Sequence, residues 1–421
     1  MSNSEFARFD LIFIIVKTNR ICYNKTNTPK GTVVMNINSD HLIALRREIH
    51  TYPEVDFDLP RTVALVKKEL DAIGVPYTEK YGKGSVVGYI NPDKEGFTIA
   101  LRADMDALKI TEKTDVEYKS KNNGYMHACG HDAHTAVLLG TAAALKELEN
   151  EINCKVKLLF QPSEEGMKSG AVMMIENGVM DDVDIIIGLH SENEMPAGKL
   201  GVCYGYSQAS SRHFSLELFG KSAHATTPHN GIDALAAAIR IYNDLQFVLT
   251  REIDPLEKYV CSVCQLESGR SQNSIADHAL MRGTIRAYNM DVDLHIYNRL
   301  KSIIDHVCEE TGVTASLTAP LKSVSLYNHP TVCRLIEKAI GEVVGEENIA
   351  PMPEKLSSED FSRYLTVKPG AFFRLGTGNA EKGITIPAHN DLFDLDESAL
   401  ELGVRTFVQF VLDNMNGINI G

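Results

Sequence analysis

The chain has 421 residues, with 42 Lys plus Arg against 56 Asp plus Glu, a formal charge of −14. Its 44% hydrophobic and 23% charged residues are globular usage, which excludes disordered, collagen-like and small disulfide-framed classes. An acidic chain is also a poor match for nucleic-acid phosphates, so neither a nucleic-acid nor a membrane partner is expected.

The elements follow in chain order. Residues 1–34 differ from the rest and read as a dispensable extension. FDLIFIIV (Phe9–Val16) is far shorter than the roughly 20 residues of a membrane span, and Lys17–Lys30 has no periodicity; organelle targeting is the alternative reading. After Met35, NSDHLIALRREIH predicts a helix over Leu42–His50 with Asp40 as N-cap. Pro60–Ile73 predicts a second helix, stopped by Gly74. SVVGYI and FTIALRAD predict strands, His134–Leu148 a small-residue helix, and KVKLLFQ and DIIIGLH buried strands. Strands alternating with helices predict an α/β doubly wound sheet, here of mixed direction.

Residues 208–320 change rhythm. HFSLELFG, Asp233–Val248, Tyr259–Leu266, Ala279–Tyr288, Val292–Glu310 and TASLTA read β-α-β-β-α-β, the ferredoxin-like unit. The chain then returns to helices over Val332–Val344 and Ser358–Tyr364, the strand AFFRLG and a last helix over Glu397–Met415. The expected organisation is one discontinuous catalytic domain, 35–207 plus 321–421, interrupted by an α+β domain over 208–320. Eight cysteines are scattered, which fits a reducing, cytoplasmic setting. The Cys261–Cys264 CxxC lacks a second pair or a nearby His, so both are expected to be buried strand residues.

Chemistry-bearing residues gather where open α/β sheets place their sites, at strand ends. LRADMDAL puts Asp104 and Asp106 after a buried strand. MHACGHDAHT packs Cys129, His131, Asp132 and His134 around Gly130, and Asp132 and His134 would cap the next helix or orient ligands. QPSEEG gives adjacent Glu164 and Glu165, of which one can bind metal while the other takes a proton from water. GLHS supplies His190 and PAHNDLF His389. Cys129, His131, Glu165, His190 and His389 exceed what one catalytic zinc takes and suit two metals.

LRADMDAL, MHACGHDAHTA, QPSEEG, GLH, SAHATTPHNGIDA, GTIRA, SSEDFS and AHN, in that order from about Leu42 to Met415, make the sequence resemble the metallopeptidase family of carboxypeptidases and aminoacylases. Within it, the sequence is most similar to the N-acyl-amino-acid amidohydrolases, which include hippurate, auxin-conjugate and N-acetyl-diaminopimelate hydrolases. The resemblance implies that Cys129, His131, Glu165, His190 and His389 bind two divalent ions, manganese or zinc with cobalt and nickel open. Glu164 would then be the base and Asp106 the acid that steers the site. The inserted domain would be a lid that also forms a homodimer. His224 would reach the partner subunit's site to hold the oxyanion, and Asn273 and Arg286 would contact the substrate. The Cys of CGHD marks this subfamily, where other branches carry Asp, and Lys109 stands where the subfamily has Pro. Ser357, Glu359 and Asp360 read as helix capping outside the site. The implied reaction is hydrolysis of a small N-acyl-amino acid. The alternatives are a dipeptidase or carboxypeptidase on the same site, a catalytically silent binding homologue, and a cysteine hydrolase using Cys129 and His131.

Overall fold

The computed structural model describes residues 37–419; the extension, its apolar run and Met35 lie outside them. The first helix, α1 (Ser39–Thr51), is capped by Asn38, whose side chain accepts the His41 N–H. Asp40 sits inside the first turn, where a carboxylate favours the helix dipole without capping it. Helix α2 spans Pro60–Ile73, with Pro in its first turn and left-handed Gly74 at its end, as those residues dictate.

Next come β1 (Tyr77–Thr78), β2 (Val86–Ile90), β3 (Thr98–Asp104), α3 (His131–Glu147), β4 (Lys155–Gln161), α4 (Gly170–Glu176), β5 (Ile185–Pro196), β6 (Leu200–Val202) and β7 (Gly205–Gln208). The inserted unit holds β8 (Ser211–Phe219), α5 (Ala234–Arg251), β9 (Tyr259–Ser268), β10 (His278–Ala287), α6 (Met290–Thr311), β11 (Thr314–Thr318) and β12 (Leu321–Ser323). The chain ends through β13 (Leu326–Asn328), α7 (Pro330–Val344), α8 (Ser362–Leu365), β14 (Gly370–Gly378) and α9 (Leu400–Asn414).

The main sheet has the order β1-β2-β4-β3-β5-β14-β6. Its centre is parallel, β4 to β3 to β5 to β14, and its edges are antiparallel. Strand β3 is buried along its whole length, as a strand covered on both faces must be. One face packs Val86, Leu101, Leu158, Ile187 and Phe373 against α1, α2, α3, α7 and α9. The other packs Val87, Leu159, Ile186 and Phe372 against α4 and α8. This mixed doubly wound sheet with an inserted α+β unit is the architecture that the strand and helix alternation implies.

The inserted sheet has the order β11-β8-β10-β9, with β12 also on β8. Helices α5 and α6 cover one face through Phe214, Leu216, Ile241, Leu245, Ile285 and Leu300. Alternation along β8 and β10 sends His213 and Arg286 away from that core. Strands β7 and β13, just outside the insertion at either end, pair antiparallel.

Three local expectations change. Cys261 is half-buried and Cys264 exposed, because β9 is an edge strand of this sheet. No helix begins at Ser358; α8 starts at Ser362 and lasts four residues. Helix α3 starts at His131, three residues before the expected His134, because left-handed Gly130 turns the chain directly into it. No helix among the described residues is long and apolar enough to cross a membrane.

Candidate metal centre

The site sits at the carboxyl ends of β3 and β4, beside the middle of β5, where His190 follows the end of the β3–β5 pairing. At Gly130 φ is 82°, and an added Cβ would lie 2.3 Å from Ser191 Oγ. This position therefore needs glycine, and the tight turn brings Cys129 and His131 to the same point. Cys129, His131 and His190 bring their donor atoms within 4.8 Å of one another, and so do Cys129, Glu165 and His389. The two groups share Cys129.

The donor atoms face one another. The His131 Nδ1–H donates to the Asp106 carbonyl at 2.8 Å, while its buried Nε2 has no hydrogen-bond partner and lies 3.6 Å from Asp104 Oδ2. The His190 Nδ1–H donates to the Ser191 carbonyl at 2.6 Å, leaving Nε2 3.4 Å from Cys129 Sγ. Glu165 Oε1 is buried without a hydrogen bond and lies 3.1 Å from His389 Nε2. Burial opposes a cation at His131, but Asp104, Asp106 and Cys129 outweigh it and hold the imidazole well above its ordinary pKa. Cys129 and Glu165 likewise push His389 up to about 10. Imidazole nitrogens, a thiol and a carboxylate that converge in a field that attracts positive charge fit two divalent cations.

His134 is spent on structure. The Ser191 N–H donates to its Nε2 at 2.9 Å, so Nδ1 carries the proton given to Asp104 at 2.7 Å. Asp132 is also buried, bound to Arg46 and His50 at 2.8 Å each. Asp132 fixes α3 to α1, whereas His134 packs beside the donor set, its ring centroid 4.9 Å from that of His190 and 5.4 Å from that of His131. Asp106 holds the glutamate pair through the backbone, accepting the N–H groups of Glu164 at 2.9 Å and Glu165 at 3.0 Å. Ser163, in the turn before them, has φ 52°, and His389 has φ 66°. Such non-glycine strain gathers at working sites. The His389 N–H donates to the Ala128 carbonyl at 2.7 Å, tying the last loop to the first.

Glu164 belongs to neither Cys129 group. It lies beside them, within reach of His131 and Glu165 on one side and of Glu359 and Asp360 on the other. Burial and the Glu359, Glu165 and Asp360 carboxylates push its pKa well above the usual range. Glu359 and Asp360 are therefore not helix caps. Arg102, wholly buried, donates to both at 3.0 Å and to Asp104 at 2.5 Å, and Glu359 lines the cavity. The motif SSEDFS marked the segment, but its acidic residues before a short helix imitate capping.

A cavity of about 430 Å³ runs from Cys129, Glu164, Glu165, His190 and His389 to the inserted sheet, which contributes His213, Arg286 and Lys322 to its lining; Lys322 reaches back to donate to the Glu165 carbonyl at 3.2 Å. Arg374, Lys355 and Phe393, which the sequence reading did not single out, line it as well. Arg286 meets only Ser358 Oγ and His213 Nε2, both at 3.4 Å. The structure does not bring His224 or Asn273 into this cavity. They lie together on an exposed edge of the inserted unit, joined by an Ala225 N–H to Asn273 carbonyl bond of 2.9 Å. Lys109 is exposed and pairs with Asp56 at 2.8 Å.

Residues 100–413 match the family model described as Peptidase family M20/M25/M40. Thermostable carboxypeptidase 1 of Saccharolobus solfataricus is 38% identical over 86% of this chain and 93% of its own. The N-acetyl-L-cysteine deacetylase of Bacillus subtilis is 37% identical over 85% of this chain and 84% of its own. Among solved structures, the YXEP protein of Bacillus subtilis, described as a dinuclear metal binding peptidase, superposes with a TM-score of 0.76 at 30% identity. That match covers 90% of this chain and 99% of the other.

Proposed function

The chain belongs to peptidase family M20/M25/M40 and is a metal-dependent hydrolase of amide bonds; from that premise we propose that it cleaves N-acyl-amino acids to a carboxylic acid and an amino acid. Cys129, His131, His190, Glu165 and His389 would hold two divalent ions, with Cys129 between them. Manganese and zinc suit this mixed thiolate, imidazole and carboxylate set, as do cobalt and nickel. When bound, the ions supply positive charge that polarises the scissile carbonyl and activates water.

The observation that carries the reading is Glu164, a buried carboxylate beside the donor set with a raised proton affinity. A base so placed takes the proton of the attacking water and delivers it to the leaving amine. Asp106 keeps it aimed by fixing its backbone. Arg286 faces the cavity without a carboxylate partner, and its fork suits the carboxylate of the amino acid. His224 and Asn273 lie outside their own cavity, so we assign them to the site of a second subunit, with His224 stabilising the oxyanion there. Seven unpaired described cysteines support a cytoplasmic setting.

The carboxypeptidase among the relatives keeps a peptide substrate as the second reading. The test compares N-acetyl-amino acids, N-benzoyl-amino acids and dipeptides in wild type and Glu164→Gln, with metal content measured alongside. We expect N-acyl-amino acids to lead, and Glu164→Gln to keep its metal while losing roughly 10²–10⁴-fold in kcat. Robust turnover by Glu164→Gln removes the base assignment, and faster cleavage of dipeptides favours the peptidase.

A further inference from the structure

Strand β14 places Arg374 level with His190 of β5. Arg374 is 5% exposed and lines the cavity. The other buried arginines all have carboxylate partners. Arg46 binds Asp132, Asp394 and Glu397, Arg102 binds Asp104, Glu359 and Asp360, and Arg212 binds Asp293. The Arg374 side chain makes no hydrogen bond or ion pair with any described residue. Its guanidinium carbon stands 5.2 Å from the Phe372 ring centroid. Carboxylates in its surroundings are committed elsewhere, Glu192 to Lys355 at 2.8 Å and Glu359 to Arg102 at 3.0 Å.

A guanidinium held at a cavity wall with little exposure and no protein anion leaves its charge uncompensated, and an entering anion pairs with it directly. The cavity thus offers two forks without carboxylate partners on different walls, Arg286 from the inserted sheet and Arg374 from the main sheet. One carboxylate, that of the amino acid, satisfies one fork.

We propose that Arg374 receives a second carboxylate of the substrate, so that the enzyme selects dianionic N-acyl-amino acids. The second carboxylate belongs either to a dicarboxylic acyl group or to an acidic amino-acid side chain, and both offer the fork the same chemistry. This inference rests on the amidohydrolase reading and adds the charge of its substrate.

Binding is measured apart from turnover, by calorimetric titration of metal-loaded Glu164→Gln protein with N-acetyl-alanine, N-succinyl-alanine and N-acetyl-glutamate. At least one dianionic ligand should bind roughly 10-fold or more tighter than N-acetyl-alanine, as a bidentate charged pair allows. Adding Arg374→Met should erase that preference, and Arg374→Lys, which keeps the charge without the fork, should keep only part of it. The ligand whose affinity responds identifies the acyl arm or the side chain. Metal content and melting temperature establish that each variant is folded, and if Arg374→Met does not fold, the Arg374→Lys ratio decides. Equal affinity for all three ligands overturns the proposal. So does an equal loss for all three on substitution, the result expected if Arg374 only compensates the Cys129 thiolate. Failure of the amidohydrolase reading looks different: wild type would hydrolyse none of the three, whatever their binding ratios.

Discussion

Asp106 uses its two carboxylate oxygens on two consecutive backbone N–H groups, those of Glu164 and Glu165. In Asp106→Asn one oxygen becomes an NH₂ that faces an N–H, and a buried donor loses its partner. We expect a folded protein with metal affinity lowered roughly 10- to 100-fold and a larger loss in kcat, read by metal titration and a hydrolysis assay. Alanine at position 106 should do no better, since it accepts from neither N–H. The residues brought together at the donor set were legible in the sequence because most stand at a strand end or in a tight turn with other polar residues nearby, while His190 follows the apolar run IIIGL inside β5. Glu359 was not. Its burial depends on Arg102, which lies 257 positions earlier and reaches it across the fold. Arg374 was hidden in the same way. Inside AFFRLG it reads as one polar residue in an apolar strand, and only the register with β5 sets it beside His190.

Helices α1 and α3 are joined through charge as well as apolar packing. Asp132, at the start of α3, binds Arg46 and His50 of α1, and all three side chains are buried. Although burial alone would raise the Asp132 pKa, Arg46 and His50 hold it well below its unfolded value of 3.8. A carboxyl depressed in the folded state stabilises the fold above that unfolded value and ceases to do so as pH falls toward the folded one. Asp132→Asn should therefore cost about 3 kcal/mol at pH 7, and the gap from wild type should narrow as pH drops below about 4. Urea unfolding of the metal-free protein at several pH values checks both statements. Elements were legible wherever their own residues set the limits. Pro60 and Gly74 bound α2 on both sides, and KVKLLFQ is a strand from end to end. Misreadings arose where limits depend on neighbours. Asp40 reads as the cap of α1, but the fold starts the helix at Ser39 and gives the cap to Asn38, and nothing within YVCSVCQL reveals that its strand lies at an edge.

For the whole molecule, the assignment of His224 to a partner's site makes activity a property of two chains. His224→Ala and Glu164→Gln should each be nearly inactive alone. In a mixed dimer, the Glu164→Gln subunit lends its His224 to a site that has Glu164. Equal mixing after dissociation should restore about a quarter of wild-type activity, because half the dimers are mixed and each has one complete site. No recovery in a mixture shown to contain mixed dimers would return His224 to its own subunit. The sequence order suggested two bodies, but only the cavity between them shows which side chains of the insertion approach the donor set, Arg286 and Lys322 among them.

Strands β7 and β13 carry the chain into and out of the inserted unit, and they are hydrogen-bonded to each other. The inserted unit is joined to the rest of the chain by this ribbon and by further contacts, among them Lys322, which donates to the Glu165 carbonyl at 3.2 Å, and Arg363, which donates to the Leu321 and Lys322 carbonyls at 2.9 and 3.1 Å. All five proposed donors belong to the catalytic part of the chain, while Arg286 belongs to the insertion and Arg374 to the main sheet, so on the proposed lid reading the gap between the two forks is what a movement of the insertion would change. A substrate with a carboxylate in each fork acts as a strut across the gap. On the proposed reading its length, as much as its charge, would set how closely the insertion approaches the main sheet.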